Sequence, residues 1–246
     1  MSTVITTTVL PDSTSNDTLT FGATGDSLAI SGDSLNLNTL QDAGGNTIFV
    51  SDGSGTITSQ SFPGALTLIS TQTPSGVTSV EFTSDIDSTY DVYIFKFIDI
   101  NPETNNGKLQ FNGSDDSGST YAVVKTTSMF TATHSENDSG AALTYEAGYD
   151  LDQSTADQVL MSNMSSEADA SMSGEFHLFS PSSTTYVKHF NSCTNFLARP
   201  GSTTRGSANT RVGGYFNTTS AINAVRFVCS TGNFDGIIKL YGISKS

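Results

Sequence analysis

Two of the chain's three histidines, His177 and His189, fall in one short stretch, Gly174 to Phe190; the third is His134. The stretch reads GEFHLFSPSSTTYVKHF. Strand alternation puts Glu175, His177 and Phe179 on one face and Phe176 and Leu178 on the other. In the second phrase Tyr186, Lys188 and Phe190 alternate with Val187 and His189. Folded as a hairpin across SPSSTT, the two strands are expected to gather Glu175, His177, Tyr186 and Lys188 on one polar–aromatic face. Such a face could hold a sugar or another subunit. An ordinary hairpin with a wet outer surface uses the same pattern.

Other chemistry has thinner support. Hydrolysis of a glycoside needs two carboxyls roughly 5–9.5 Å apart, and Glu175 with Glu146 or Asp150 are the conceivable partners. The chain has no tryptophan to serve as a sugar platform. Two acidic loops, Asn112 to Ser117 around Asp115 and Asp116, and Tyr149 to Asp152, carry oxygen ligands of the kind calcium takes. Neither has the offsets of a twelve-residue calcium loop, and Asx-rich turns arise for backbone reasons alone. No HExxH, CxxC or GxSxG occurs, nor a glycine loop ending in Lys-Ser/Thr. No catalytic residue, cofactor site or metal site is therefore expected.

Bulk properties narrow the class further. Ten Lys and Arg against 24 Asp and Glu leave a net charge of −14, which repels phosphate backbones and argues against nucleic acid. Only 14% of residues are charged; Ser, Thr, Asn and Gly carry the polar surface, a composition that favours turns and ladders over helices. No apolar run approaches the ~20 residues that insert into a bilayer, and MSTVITTTVLPDST lacks the features of a secretion signal. Cys193 and Cys229 are too few for a disulfide framework. Synthesis in a reducing cytoplasm predicts buried, reduced thiols.

The elements that must position these residues are strands. Val80 to Ile100 is the organising stretch. Val92, Ile94, Ile98 and Ile100 alternate with Tyr93, Phe95 and Phe97, interrupted by Lys96, which predicts a strand covered on both sides. Residues 1–62 form a separate, thin-stranded shaft or attachment segment. Its strands are predicted at Thr18–Phe21, Ser27–Ile30, Ser34–Leu37 and Thr47–Val50, between glycine and Asx turns. Leu28, Ile30, Leu35, Leu37, Ile48 and Val50 give these strands apolar faces too narrow to cover one another, so they are expected to form an interface between copies. Residues 63–246 predict an all-β, jelly-roll-like sandwich. Its strands are expected at Val77–Thr83, Tyr90–Ile100, Lys108–Asn112, Tyr121–Ala132, Gly174–Ser180, Thr185–Phe190, Val212–Asn217, Ala221–Cys229 and Gly236–Ile243. A further strand starts near Leu66, and residues 154–161 could form one helical turn.

Three phrases carry a resemblance. They are LTLISTQT with FTSDIDSTYDVYIFKFIDINP, then SGEFHLFSPSSTTYVKHF, then NTTSAINAVRFVCSTGNFDGIIKLYGIS. Together they resemble virion structural proteins of tailed bacteriophages, particularly those of marine bacteria and cyanobacteria, over most of residues 66–246. The stretch from LTFGATGDSLAI through NTLQDAGGNTIFVSDGSG is similar to the repetitive shafts of phage fibre-like proteins. The resemblance implies a non-enzymatic virion component, made in the host cytoplasm. It would be a homotrimeric fibre or spike held to capsid or tail proteins, with an outward sandwich that touches host-surface glycans. A capsid decoration protein that cements the head is the alternative, and a carbohydrate-active enzyme a more distant one.

Overall fold

The computed structural model describes residues 39–41, 47–51, 54, 57–60, 66–198 and 205–243. The chain divides into two compact units, Met1–Phe62 and Pro63–Ser246. In the first, β1 (Thr39–Gln41), β2 (Thr47–Ser51) and β3 (Ile57–Gln60) form an antiparallel sheet in that order. Predicted strands before Thr39, with Leu28, Ile30, Leu35 and Leu37, lie outside the described residues. Ile48 and Val50 fall on β2, where Val50 is half-buried and pairs with Thr39 and Ser59.

Among its described residues the second unit is all strand and irregular structure. Its strands are β4 (Leu66–Gln72), β5 (Ser79–Phe82), β6 (Val92–Pro102), β7 (Gly107–Ser114), β8 (Lys125–Ser135) and β9 (Ala141–Tyr145). There follow β10 (Gln158–Met164), β11 (Met172–Phe179), β12 (Lys188–Ala198), β13 (Gly206–Phe216), β14 (Ala224–Cys229) and β15 (Phe234–Ile243). One hydrogen-bonded path runs β4-β15-β6-β11-β12-β13-β8-β9, and a second runs β10-β7-β14-β5. Among the described strands they join where Met164 of β10 meets Ala198 of β12, and Val77, just before β5, bridges Phe234 of β15. The result is a larger and a smaller antiparallel layer, nearly closed on themselves. Where a helical turn was expected, the chain forms β10. Gln158 to Met164 has every residue but Asn163 buried, and a run covered on both sides leaves no polar stripe for a helix to expose.

Phenylalanines lock the layers together. Phe227 of the small layer lies with its ring centre 5.1 Å from Phe95 and 5.0 Å from Phe97 of the large one. Phe111 lies 4.5 Å from Phe176 and 5.0 Å from Phe190. Tyr93, Phe95 and Phe97 form the inward face of β6, each no more than 1% exposed. The opposite face is not the second core that alternation suggested. Lys96 is 40% exposed there, Val92 and Ile98 are half-buried, and Ile94 is covered in register by His177 and Tyr241 of the flanking strands. Alternation also breaks at a bulge. Asp99 (φ 51°) and Ile100 oppose the single residue Gly236 (φ 137°), so Ile100 turns inward with Phe97. A Cβ on Gly236 would stand 2.9 Å from the Asp99 carbonyl oxygen, so only glycine fits.

Phe95→Ala should therefore cost about 3–5 kcal/mol in denaturant unfolding, and Val92→Ala, on the outer face of the same strand, under about 1.5 kcal/mol. Equal losses would mean that both faces of β6 are core.

Candidate ligand- and partner-binding face

β11 and β12 form the expected hairpin, with Leu178 opposite Phe190 and Glu175 opposite Cys193. Inward positions are Phe176, Leu178, Phe190, Ser192 and Thr194; outward positions are Ser173, Glu175, His177, Asn191 and Cys193. Glu175 and His177 thus share a surface, with His177 Nε2 3.2 Å from Glu175 Oε1. Lys96 of the adjacent strand donates a hydrogen bond to Glu175 Oε2, which holds the Glu175 carboxyl below its ordinary range. Spacing within the hairpin could not reveal Lys96, because it arrives by lateral pairing of β6 with β11.

Lys188 departs from the expected face. It shares the inward row with Phe190 and is 0% exposed. Its ammonium donates to the Tyr186 carbonyl at 2.9 Å and the Thr218 carbonyl at 3.1 Å, and burial lowers its pKa. Tyr186 precedes the strand, so strand alternation does not apply to it; its side chain is 73% exposed. Lys188 therefore acts from beneath. It ties the loop carrying Tyr186 to the turn at Thr218.

Those two segments, with Phe179 and His189, enclose an open recess of about 550 Å³ lined by Phe179, Ser180, Thr185, Tyr186, Val187, His189 and Thr219. Aromatic rings beside hydroxyls suit a polyol with one apolar face. His189 is the residue that sequence reasoning left aside. Its outward position follows from the same alternation that buries Lys188.

The remaining candidates separate. Glu146 and Asp150 follow β9, and Glu146 bonds to β8, three strands from β11. At ~4.8 Å per strand this is about 14 Å along the sheet, beyond the reach of a glycosidase pair with Glu175. Asp150 instead accepts from the Tyr145 hydroxyl at 2.7 Å. Asp116 accepts from Ser114 Oγ at 2.6 Å and from Thr120 N and Oγ1 at 2.8 and 2.7 Å, which lowers its pKa to about 2. Its oxygens are spent on its own turn. No group of three or more His, Cys, Asp or Glu poised for a metal occurs among the described residues. Both cysteines are free thiols; Cys229 is buried, whereas Cys193 is half-buried on the outer face beside Glu175, correcting the expectation of two core thiols. A scan against family models and searches of curated proteins and of solved structures found no match.

Two variants probe this face. A carboxylate with a lowered folded pKa adds stability above its ordinary value near 4.5, and that stability is lost as pH falls through the lowered pKa. Lys96→Met should accordingly cost under about 1 kcal/mol at neutral pH, since the pair is well exposed. The gap from wild type should close on acidification below about pH 4. Lys188→Met, which removes the ammonium and strips two part-buried carbonyls of their donor, should cost more, about 1–3 kcal/mol. It should also speed amide hydrogen exchange at residues 183–187. Unchanged exchange there would mean that the loop is held by something else.

Proposed function

We propose that this chain is a non-enzymatic structural protein of a tailed-phage virion: a trimeric, fibre- or spike-like appendage whose sandwich faces outward and contacts host-surface glycans. The recess at the hairpin mouth is the observation that carries the reading. It offers an exposed tyrosine, a second ring, a histidine and three hydroxyl side chains, which bind a sugar by stacking and hydrogen bonding without acting on it. The phrases that resemble phage structural proteins supply the particle.

Trimer formation has support at the sheet edges. β4 and β9 terminate the larger layer. β4 exposes Leu66 and Leu68 at 45% and 50%, and β9 exposes Leu143 and Tyr145 at 74% and 56%. Free edges with apolar side chains invite pairing with another strand. Two different edges on one chain suit a head-to-tail contact between copies that closes into a ring.

Light scattering on the full-length protein should give three times 25.8 kDa. Because each copy carries −14 charges, association should strengthen as salt rises to physiological levels and screens the repulsion. A monomer at all salt concentrations sinks the trimer. On a glycan array, Tyr186→Ala should abolish binding that wild type shows. Counting copies per particle separates an appendage, present in tens or fewer, from a head-cementing protein present in hundreds.

A further inference from the structure

β8 begins with a lysine where a core residue belongs. Lys125 is 0% exposed, with Nζ 5.9 Å from the centre of the Phe216 ring. The ammonium donates to Asn112 Oδ1 at 2.9 Å and to the Val123 carbonyl at 3.2 Å. Asn112 is itself 0% exposed, and its partners fix which way its amide points. Gly113 N–H also donates to Oδ1, at 3.0 Å, while Nδ2 donates to Asp157 Oδ1 at 2.9 Å and the Thr155 carbonyl at 3.0 Å. Donors stand on the oxygen side and acceptors on the nitrogen side. Arg226 holds the Asp157 carboxylate, with Nη2 3.2 Å from Oδ1.

A buried amine and a buried carboxamide carbon thus meet beside a half-buried carboxylate. A C=O bond is ~1.23 Å long, so Lys125 Nζ lies within about 4.1 Å of Asn112 Cγ, close to the near-attack range. We propose that Lys125 and Asn112 join covalently, forming an isopeptide bond between Nζ and Cγ with release of ammonia.

The steps balance without any co-reactant. Lys125 gives up one proton, and the nitrogen lone pair attacks Asn112 Cγ. The C=O electrons move to Oδ1, where the Gly113 N–H receives the developing charge. Asp157, already bonded to Nδ2, carries a proton from the attacking to the departing nitrogen. The Cγ–Nδ2 bond breaks as the carbonyl re-forms. The proton that Lys125 gave up before the attack turns the released ammonia into ammonium, so an ammonium and a carboxamide become an amide and an ammonium ion. Nothing is oxidised or reduced. Burial favours the first step: it lowers the Lys125 pKa to about 8 against the opposing pull of Asp157, leaving on the order of a tenth of the side chains uncharged at neutral pH.

The bond would tie strands that share no ladder. β7 lies in the smaller layer and β8 in the larger, so the link would clamp the sandwich shut across its core. That resists mechanical separation, whatever the particle or surface the protein serves.

The test is mass spectrometry of the full-length folded protein after ageing at pH 8. The linked chain should be lighter than its sequence by one ammonia, about 17 Da. A succinimide at Asn112–Gly113 has the same mass, so the map must show connectivity. In the linked protein trypsin should not cut after Lys125, and fragments separated by chymotrypsin after Tyr121 should remain joined. Lys125→Met should restore the full mass, and Asp157→Asn should slow linkage at least tenfold. Full mass with free cleavage after Lys125 in aged wild type overturns the proposal, as does the lighter mass with Lys125 still cleavable. Should a variant fail to fold, the wild-type map decides alone.

Discussion

The sandwich depends on phenylalanines meeting across its two layers. Phe95, Phe97, Phe176 and Phe190 project from the larger layer onto Phe111 and Phe227 of the smaller. Each buried ring contributes about 1.5–3 kcal/mol, and edge-to-face neighbours add about 0.5–1.5 kcal/mol per pair. Everything on the outer face inherits its position from this contact. Phe176 must point inward to reach Phe111, so Glu175 and His177 must point out. Phe190 must point inward, so Lys188, two residues away, is carried into the interior.

Away from the rings the interior is lined with hydroxyls. Thr131 and Thr210 share a hydrogen bond of 3.1 Å, Thr194 donates to the Leu160 carbonyl at 2.9 Å, and Thr127 pairs with Gln158. β-Branched threonine fills a strand position much as valine does, and its hydroxyl is tolerated inside only when bonded. This is how a chain with 35% hydrophobic residues covers the inner faces of so many strands.

Strand identity was legible where side-chain volume alternated. β6, β11 and β15 are visible because bulky apolar residues fall at two-residue spacing: Tyr93, Phe95 and Phe97, then Phe176 and Leu178, then Ile238 and Leu240. β9 is not, since all five of its residues are exposed and an edge strand needs no apolar face. β10 resembles a helical turn in the sequence because continuous burial erases the alternation that distinguishes a strand. The bulge at Asp99 was hidden for a different reason. Its cause, Gly236, is remote in sequence and acts only through lateral pairing. The outer site shows the same division. Glu175 and His177 could be placed together from spacing, whereas Lys96 and Thr219 come from other elements. The inward turn of Lys188 follows from its alternation with Phe190, because periodicity outranks the polarity of a single side chain.

The two buried lysines show what that interior is used for. Each is anchored by carbonyl oxygens rather than by a carboxylate hydrogen bond: Lys188 by Tyr186 and Thr218, Lys125 by Val123 and the Asn112 side chain. A methionine of similar length would fill either space without the desolvation cost of an ammonium. What methionine cannot do is gather backbone from separate segments around one point. At Lys188 the gathered segments form the rim of the outer recess, so the buried charge shapes a surface it never touches. At Lys125 the acceptor is a carboxamide held by a carboxylate on its other side, and the anchoring contact is also a reactive one. A hydrogen bond there needs only the amine and the oxygen. The placement of Asp157 on the nitrogen, and of the Gly113 amide on the oxygen, goes beyond that need and matches the demands of amide exchange.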